Sequence, residues 1–173
     1  AAGIDMSHVL KLRDERTSTY LYITGPDGDM ALAVSDMSIC QRITPEYLAE
    51  HLKLLQNARA GVGDTNIPSE SLAYLAENCT APLFCDPVST IKAEKLRPIL
   101  GKIHTLKPNR LEAELLSGVP IREKADVEKA ADKLLSLGLK RVFISLGGDG
   151  MYAATHDASH WGENLSCRMV NTT

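Results

Sequence analysis

The spacing of apolar and polar positions changes near residue 44. Before that point, residues 17–24 are rich in β-branched and aromatic side chains, residues 25–28 read Gly-Pro-Asp-Gly, and an apolar run returns at residues 30–34. This arrangement is typical of two strands joined by a turn, and a two-stranded hairpin is only marginally stable alone. The sequence therefore predicts that residues 14–37 form a hairpin that packs over another part of the molecule. A plain edge hairpin is the alternative.

After residue 44, short continuous apolar runs alternate with segments that carry leucines at helical spacing. Continuous apolar strands separated by amphipathic helices are typical of parallel βαβ units with right-handed crossovers. We therefore predict an α/β fold of three layers, with a mostly parallel sheet, flanking helices and the small hairpin. The predicted strands of this fold cover residues 6–12, 60–63, 83–85, 103–107 and 141–146, and the predicted helices cover residues 44–55, 69–77, 93–100, 109–117 and 126–137.

Composition and charge narrow the class of ligand. The 173 residues are 44% hydrophobic and 24% charged, as expected of one globular domain, and the net charge of −3 is spread without a basic stripe. A small-molecule ligand is therefore expected, rather than nucleic acid or a membrane. The four cysteines lack metal-ligand spacing, no apolar run approaches membrane-helix length and no signal segment opens the chain. We predict a cytoplasmic protein with reduced thiols.

Polar residues follow each predicted strand of the sheet after residue 44. In open parallel sheets, ligands bind beyond the carboxyl ends of the strands, so these residues are candidates for a binding site. Each of them could instead only begin a turn, and that alternative stays open at this stage. The candidates are Asp64 and Asn66, then Asp86, then Lys107 and Asn109, and finally the segment 145–150.

Residues 107–112 read Lys-Pro-Asn-Arg-Leu-Glu, where a predicted strand gives way to a predicted helix. Asn109 at the helix start with Glu112 three residues later has the spacing of a capping box, which alone would explain both residues. A helix N-terminus after a strand also attracts phosphate, and Lys107 adds a positive charge beside it. Because Glu112 would repel phosphate unless a divalent cation lay between them, the segment predicts a site for a magnesium-bound polyphosphate.

Residues 145–150 read Ser-Leu-Gly-Gly-Asp-Gly and precede a second apolar run at residues 151–154. This pattern predicts a hairpin with an Asp-Gly turn. The glycines also permit the backbone to approach a nucleotide closely. No G-x-G-x-x-G motif opens a helix here, so the segment is not the fingerprint of a dinucleotide-binding oxidoreductase.

The quoted residues resemble a known family. Residues 107–112 are similar to the Lys-Pro-Asn-x-x-Glu motif of the ribokinase-like (PfkB) sugar kinases. The sequence from Gly3-Ile4-Asp5 onward is similar to bacterial pseudouridine kinases over essentially the whole chain. The resemblance implies phosphoryl transfer from magnesium ATP to the ribose 5-hydroxyl of pseudouridine. The alternatives are ribose or another sugar or nucleoside as the acceptor, and a non-catalytic nucleotide- or sugar-binding module.

The resemblance also implies a role for each candidate residue. It assigns the hairpin as a lid over the sugar and as a contact in a possible homodimer, and it admits a monovalent cation beside magnesium. The implied nucleotide residues are Lys107 at the ATP phosphates with Asp86 nearby, Asn109 and Glu112 ordering magnesium and its waters, and Ser145, Gly147, Gly148 and Gly150 along the nucleotide. The implied acceptor residues are Asn66, Asp64 and Thr19.

No catalytic base is expected within residues 1–173. In the resembled family, a Gly-Ala-Gly-Asp motif supplies the base and the anion hole, and it follows a Val-Asn-x-Thr segment; here Val170-Asn171-Thr172-Thr173 ends the chain, which also lacks an initial Met. The expectation is an internal fragment of a kinase domain, with the base beyond Thr173. Because base and anion hole each contribute orders of magnitude in rate, the chain as given is expected to be inert.

Overall fold

Eight strands lie in two sheets in the computed structural model, which describes residues 3–25 and 30–164. The hairpin consists of β1 (Thr19–Thr24) and β2 (Met30–Asp36). In spatial order, which is also chain order, the larger sheet contains β3 (Gly61–Asp64), β4 (Leu83–Asp86), β5 (Thr105–Leu106), β6 (Arg141–Ser145), β7 (Met151–Thr155) and β8 (Ser159–Gly162). The strands β3 to β6 pair in parallel, whereas β6, β7 and β8 pair antiparallel. The prediction of a mostly parallel α/β sheet is confirmed.

Six α-helices and three 3-10 helices connect the strands in the described part of the chain. The α-helices are α1 (Pro45–Glu50), α2 (Leu52–Asn57), α3 (Ser69–Asn78), α4 (Thr90–Ala93), α5 (Arg110–Ser117) and α6 (Lys124–Ser136). The 3-10 helices are Ser38–Arg42, Glu94–Lys102 and Gly147–Asp149. None of these helices, over the ranges that are described, is long and apolar enough to cross a membrane.

The single helix predicted over residues 44–55 is wrong, because the structure has two helices that meet at His51. The Nδ1 atom of His51 lies 2.8 Å from the Tyr47 carbonyl oxygen, and the two rings are 4.4 Å apart. The backbone N–H of His51 donates to the Leu48 carbonyl instead of the Tyr47 carbonyl. A side chain therefore occupies the acceptor that the regular helix bond would use.

Two other local predictions also differ from the structure. The helix predicted over residues 93–100 is mostly a 3-10 helix, since Pro98 lies inside it and removes a helix donor. The strand predicted over residues 6–12 is absent from the described structure. There, the Asp5 carboxylate accepts from the Ser7 N–H at 2.9 Å and the Val9 N–H donates to the Met6 carbonyl, so the segment turns instead of extending.

The core lies between one face of the larger sheet and a layer of helices made by α3, α4, the 3-10 helix Glu94–Lys102, α5 and α6. Leu106 and Ile144 on the strands, and Leu134 on α6, are fully buried in it. The opposite face of the sheet carries the half-buried Phe84 and Phe143. Because β5 and β6 are central in the sheet and pack one face against the core, the residues that follow them are held in place by that core.

The hairpin has one aliphatic face that is largely exposed. Leu21 pairs with Val34, and Ile23 pairs with Leu32, so these four side chains project to one side of the two strands. Each is 60–66% exposed. The predicted hairpin is therefore present, while its predicted turn at residues 25–28 lies largely outside the described residues.

Candidate active site

The ends of β4, β5 and β6 bring four predicted residues together. Lys107, after β5, lies with its Nζ atom 3.2 Å from the Oδ2 atom of Asp86 at the end of β4. Asn109 forms an isolated parallel bridge with Ser145 at the end of β6, and the Ser145 N–H donates to the Pro108 carbonyl at 2.9 Å. The predicted phosphate residues therefore share one edge of the sheet.

Asn109 and Glu112 form a complete capping box at the start of α5. The Asn109 side chain accepts from the Glu112 N–H at 3.0 Å, and the Glu112 carboxylate accepts from the Asn109 N–H at 2.8 Å. Glu112 is only 2% exposed. The pair therefore caps α5, as one of the two interpretations of the motif predicts. Any role in binding magnesium has to be compatible with this capping box.

Electrostatics give Glu112 a second property. Burial raises the pKa of its carboxyl group, the hydrogen bond from the Asn109 N–H opposes that rise, and the Asp86 carboxylate adds to it. A carboxylate whose ionisation is disfavoured by burial and by a neighbouring carboxylate is stabilised in its charged form by a cation placed near it. The pair therefore suits a cation better than it suits an unshielded phosphate.

The residues present fit a magnesium ion that is shared with a polyphosphate. In proteins Mg²⁺ commonly takes only one or two carboxylates and completes its shell with water and phosphate oxygens, and Asp86 and Glu112 supply two. Across residues 3–25 and 30–164 there is no cluster of three or more His, Cys, Asp or Glu side chains that would hold a metal by protein ligands alone.

The three predicted glycines of the turn after β6 differ in their surroundings. A Cβ atom on Gly147 or Gly148 would meet nothing within 4 Å, so their exposed backbone is open to a ligand. Gly150 has φ +87°, and a Cβ atom there would lie 2.2 Å from the Gly162 carbonyl oxygen. Its lack of a side chain is thus required by the packing of β7 against β8, whether or not it also lines a nucleotide.

The end of β3 presents a second polar group. The Asp64 carboxylate accepts from the Asn66 N–H at 2.8 Å, and the Asn66 side-chain oxygen accepts from Lys92 Nζ at 2.6 Å. Lys92 was not predicted from the sequence. It lies on α4, where the Ser89 side chain caps the helix, and a cap followed by a lysine was the one local signal that could have indicated it.

Thr19 is less closely connected to this group than predicted. It lies on the exposed hairpin, and its hydroxyl donates to the Thr17 carbonyl at 3.4 Å. The hairpin approaches the end of β3 through the 3-10 helix that follows β2. Within that helix Cys40 contacts Ser18, and Gln41 donates to the Asn66 carbonyl at 3.1 Å.

Cys85 lies on β4 beneath the polar edge. Burial raises the pKa of its thiol to about 11, and the carboxylates of Asp64 and Asp86 contribute to the rise. At neutral pH this thiol is therefore protonated, and it is not a nucleophile. The groups that the site offers to a ligand are instead lysine ammonium groups, carboxylates, asparagine amides and exposed backbone.

An α/β sheet with such a polar edge is suited to binding a phosphorylated small molecule. The sequence matches the pfkB family of carbohydrate kinases over residues 1–173. The chain belongs to this family, which confirms the resemblance seen in its sequence.

Individual relatives show the same relationship. The chain is 41% identical to the pseudouridine kinase of Escherichia coli K12, over 99% of this chain and 56% of that protein. It is 27% identical to the ribokinase of Staphylococcus aureus COL, over 99% of this chain and 57% of that protein. The ribokinase of Thermotoga maritima has the same fold, with a TM-score of 0.73, 23% identity and coverage of 91% of this chain and 51% of that chain. The chain spans about half the length of the curated relatives it matches.

The raised pKa of Glu112 gives a prediction for stability without divalent metal. In the unfolded chain this carboxyl group has its ordinary pKa of 4.5, so it loses its proton at a lower pH than the folded group does. The free energy of unfolding of the wild type therefore falls as the pH rises above 4.5. Glu112→Gln keeps the capping geometry but cannot ionise. The variant should therefore gain stability relative to wild type as the pH rises from below 4.5 towards 7, measured by urea unfolding at a series of pH values.

The matched control is Glu70→Gln, which removes an exposed carboxylate from the first turn of α3. It reports the general effect of one fewer negative charge. If the difference between wild type and Glu112→Gln does not change with pH, or changes no more than this control, burial does not disfavour the charge on Glu112.

Proposed function

We propose that the whole protein is an ATP-dependent kinase that phosphorylates the ribose 5-hydroxyl of pseudouridine, and that residues 1–173 form part of its kinase domain, with residues 14–37 as a lid. The observation that carries the proposal is the polar edge around Lys107, Asp86 and Glu112 in a chain that belongs to the pfkB family. Pseudouridine is preferred as the acceptor because the chain is 41% identical to a pseudouridine kinase and 27% identical to a ribokinase. The proposed location is the cytoplasm.

The nucleotide side is proposed to work mainly by positioning and charge. Lys107 is exposed and follows β5 directly, so its ammonium group can reach phosphate oxygens while Asp86 restrains it. The N–H groups of Arg110 and Leu111, which the capping box does not use, and the open backbone at Gly147 and Gly148 supply further donors. Phosphoryl transfer requires little covalent chemistry from the protein, and neutralisation of the transferred group provides most of the catalysis.

Magnesium is proposed to be held by Glu112 and Asp86, with Asn109 acting through water. A cation is favoured there because burial and the nearby Asp86 carboxylate both raise the pKa of Glu112. When bound, the ion would neutralise charge on the phosphates. The monovalent cation stays an implication of the family resemblance.

The acceptor side is proposed to lie at the end of β3. A lysine has only donors, so the bond from Lys92 fixes the Asn66 oxygen and leaves the Asn66 amide N–H groups to donate. Asp64 has one carboxylate oxygen engaged by the Asn66 N–H, and its other oxygen can accept from a hydroxyl or a ring N–H. Such a mixture of donors and acceptors suits a sugar or a nucleoside.

The whole protein should transfer phosphate from ATP to pseudouridine in a magnesium-dependent reaction, with a higher kcat/KM than for ribose or uridine. Product analysis would identify the 5-phosphate, and coupled ADP release would give the rates. A preference for ribose or for another nucleoside would support the alternative acceptor. Binding of ATP and pseudouridine without transfer to any acceptor would support the non-catalytic binding module.

Single variants should separate the two sides of the site. Asn66→Ala should weaken acceptor binding by about 1 to 3 kcal/mol, because a hydroxyl loses its partner in a closed site, while ATP affinity stays nearly unchanged. Lys107→Ala should do the reverse. Isothermal titration of both variants with both ligands provides the measurement.

The control for these variants is Lys102→Ala, which removes an exposed lysine whose ion pair with Glu77 lies outside the site. Loss of ATP affinity in Asn66→Ala with intact acceptor binding would show that the acceptor lies at a different strand end.

We also propose that the hairpin joins two copies of the protein through its aliphatic face. Leu21, Ile23, Leu32 and Val34 form a continuous apolar surface there, too exposed for a hairpin that is stable alone. The tyrosines Tyr20 and Tyr22 alternate with these residues and lie on the other face. In such a dimer the tyrosine face would cover the acceptor, and Thr19 would lie at the dimer contact, since it shares the aliphatic face.

Leu21→Asp should dissociate this dimer, because it places a charge at the centre of an apolar contact. Ser35→Asp is the matched control. Because Ser35 pairs with Tyr20, this substitution adds the same charge to the opposite face of the hairpin. Sedimentation velocity would measure both variants. A wild-type protein that is monomeric, or a Leu21→Asp variant that stays dimeric, would exclude the aliphatic face as the contact.

A further inference from the structure

The loop between β3 and α3, residues 65–68, is held from outside by several side chains, of which Thr65 and Lys95 fix its backbone on both sides of Asn66. Thr65 is completely buried, and its hydroxyl donates to the Pro87 carbonyl. Lys95 donates from Nζ to the Thr65 carbonyl at 2.8 Å and to the Ile67 carbonyl at 2.9 Å. These two carbonyls stand on either side of Asn66, so the contacts fix the backbone that carries that side chain. We refer to Thr65 and Lys95 together as the tie.

The partner of Thr65 belongs to the phosphate side. Pro87 directly follows Asp86, whose carboxylate accepts from the Val88 N–H at 2.9 Å and pairs with Lys107 at 3.2 Å. The Thr65 hydroxyl therefore connects the loop of Asn66 to the turn that restrains Asp86.

That turn is strained. Val88 has φ +64°, a left-handed conformation that a β-branched residue rarely adopts. Such conformations persist only where surrounding contacts determine them. The bond from Thr65 to Pro87 is one of those contacts, together with the Ser89 N–H that donates to the same carbonyl at 2.7 Å. Removing the Thr65 bond therefore weakens the connection between this turn and the loop of Asn66.

Lys95 is an unusual residue for this task. Its ammonium group is half-buried and donates to two neutral carbonyls, and Lys92, one helical turn earlier, donates to the Asn66 side chain. Charge-assisted hydrogen bonds are stronger than neutral ones. The loop is therefore held by stronger contacts than a surface turn between a strand and a helix needs.

We propose that Thr65 and Lys95 are positioning residues, which set the distance between an acceptor held at Asn66 and phosphates held at Lys107 without touching either ligand. The inference rests on the proposed function. It follows because reacting atoms have to be held about 3 to 3.5 Å apart, and a displacement of about 1 Å can reduce the rate about 100-fold. Asp64 and Asp86 are already paired in the sheet, and the tie extends that connection to the loop that carries Asn66.

The test is Thr65→Val in the whole protein, which keeps the shape of the side chain and removes the donor. We expect kcat to fall by about tenfold or more, while KM for ATP and for the acceptor changes by less than about threefold. Thr65→Ser restores the hydroxyl and should recover most of the lost kcat. Lys95→Met should resemble Thr65→Val. Lys102→Met, on the same 3-10 helix but paired only with the exposed Glu77, should leave kcat unchanged.

Amide hydrogen exchange gives a second measurement that does not depend on turnover. Exchange at residues 64–68 and 86–88 should become faster in Thr65→Val and remain unchanged in Thr65→Ser. A Thr65→Val variant with wild-type kcat, or one whose lower activity follows only from a smaller folded fraction, would overturn the proposal. A wild-type protein that phosphorylates no acceptor would overturn the proposed function instead. In that case, unchanged hydrogen exchange in Thr65→Val would still show that Thr65 does not hold the loop in place.

Discussion

Parallel pairing of the strands from β3 to β6 is the constraint on which the candidate site depends. It brings the carboxyl ends of four strands to one edge, and the short β5 is held in register by the pairing of Leu106 with Cys85 and Val142. Leu106 is fully buried, as is Ile144 on β6. Because the core locks these strands, Lys107 and Ser145 emerge from the sheet at fixed positions and need no loop to place them.

Charge at this edge is balanced locally. Asp64 and Asp86 lie close enough to affect neighbouring acids, because both contribute to the raised pKa of Cys85 and Asp86 contributes to the raised pKa of Glu112. Lysines accompany these carboxylates, with Lys107 paired to Asp86 and Lys92 bonded to Asn66. An edge with both signs can receive a charged phosphate and a neutral sugar beside each other, which fits the chemistry of a carbohydrate kinase.

The capping box shows how one pair of residues can meet two requirements. The capping box satisfies two N–H groups at the start of α5, those of Asn109 and Glu112, and the same geometry keeps the Glu112 carboxylate buried near Asp86. A buried carboxylate that is already oriented by backbone bonds loses little further entropy when a cation arrives. The structural and the functional explanations of the motif are therefore compatible.

The sequence by itself determined most of the elements from β3 onward and the residues that follow the parallel strands, because hydrophobic spacing and capping are local properties. The hairpin, the parallel strands and the helix that begins after Asn109 were all predicted, and the motif at residues 107–112 indicated the family. The phosphate site at this motif stays a prediction. Only the tertiary structure decided which side chains hold the site together. Lys92, Lys95 and Thr65 act on residues 22 to 30 positions away, so no local pattern reveals them. The break at His51 likewise arises from a side-chain contact that competes with a helix hydrogen bond, and the aliphatic face of the hairpin becomes a single surface only once the register of β1 and β2 aligns Leu21 with Val34.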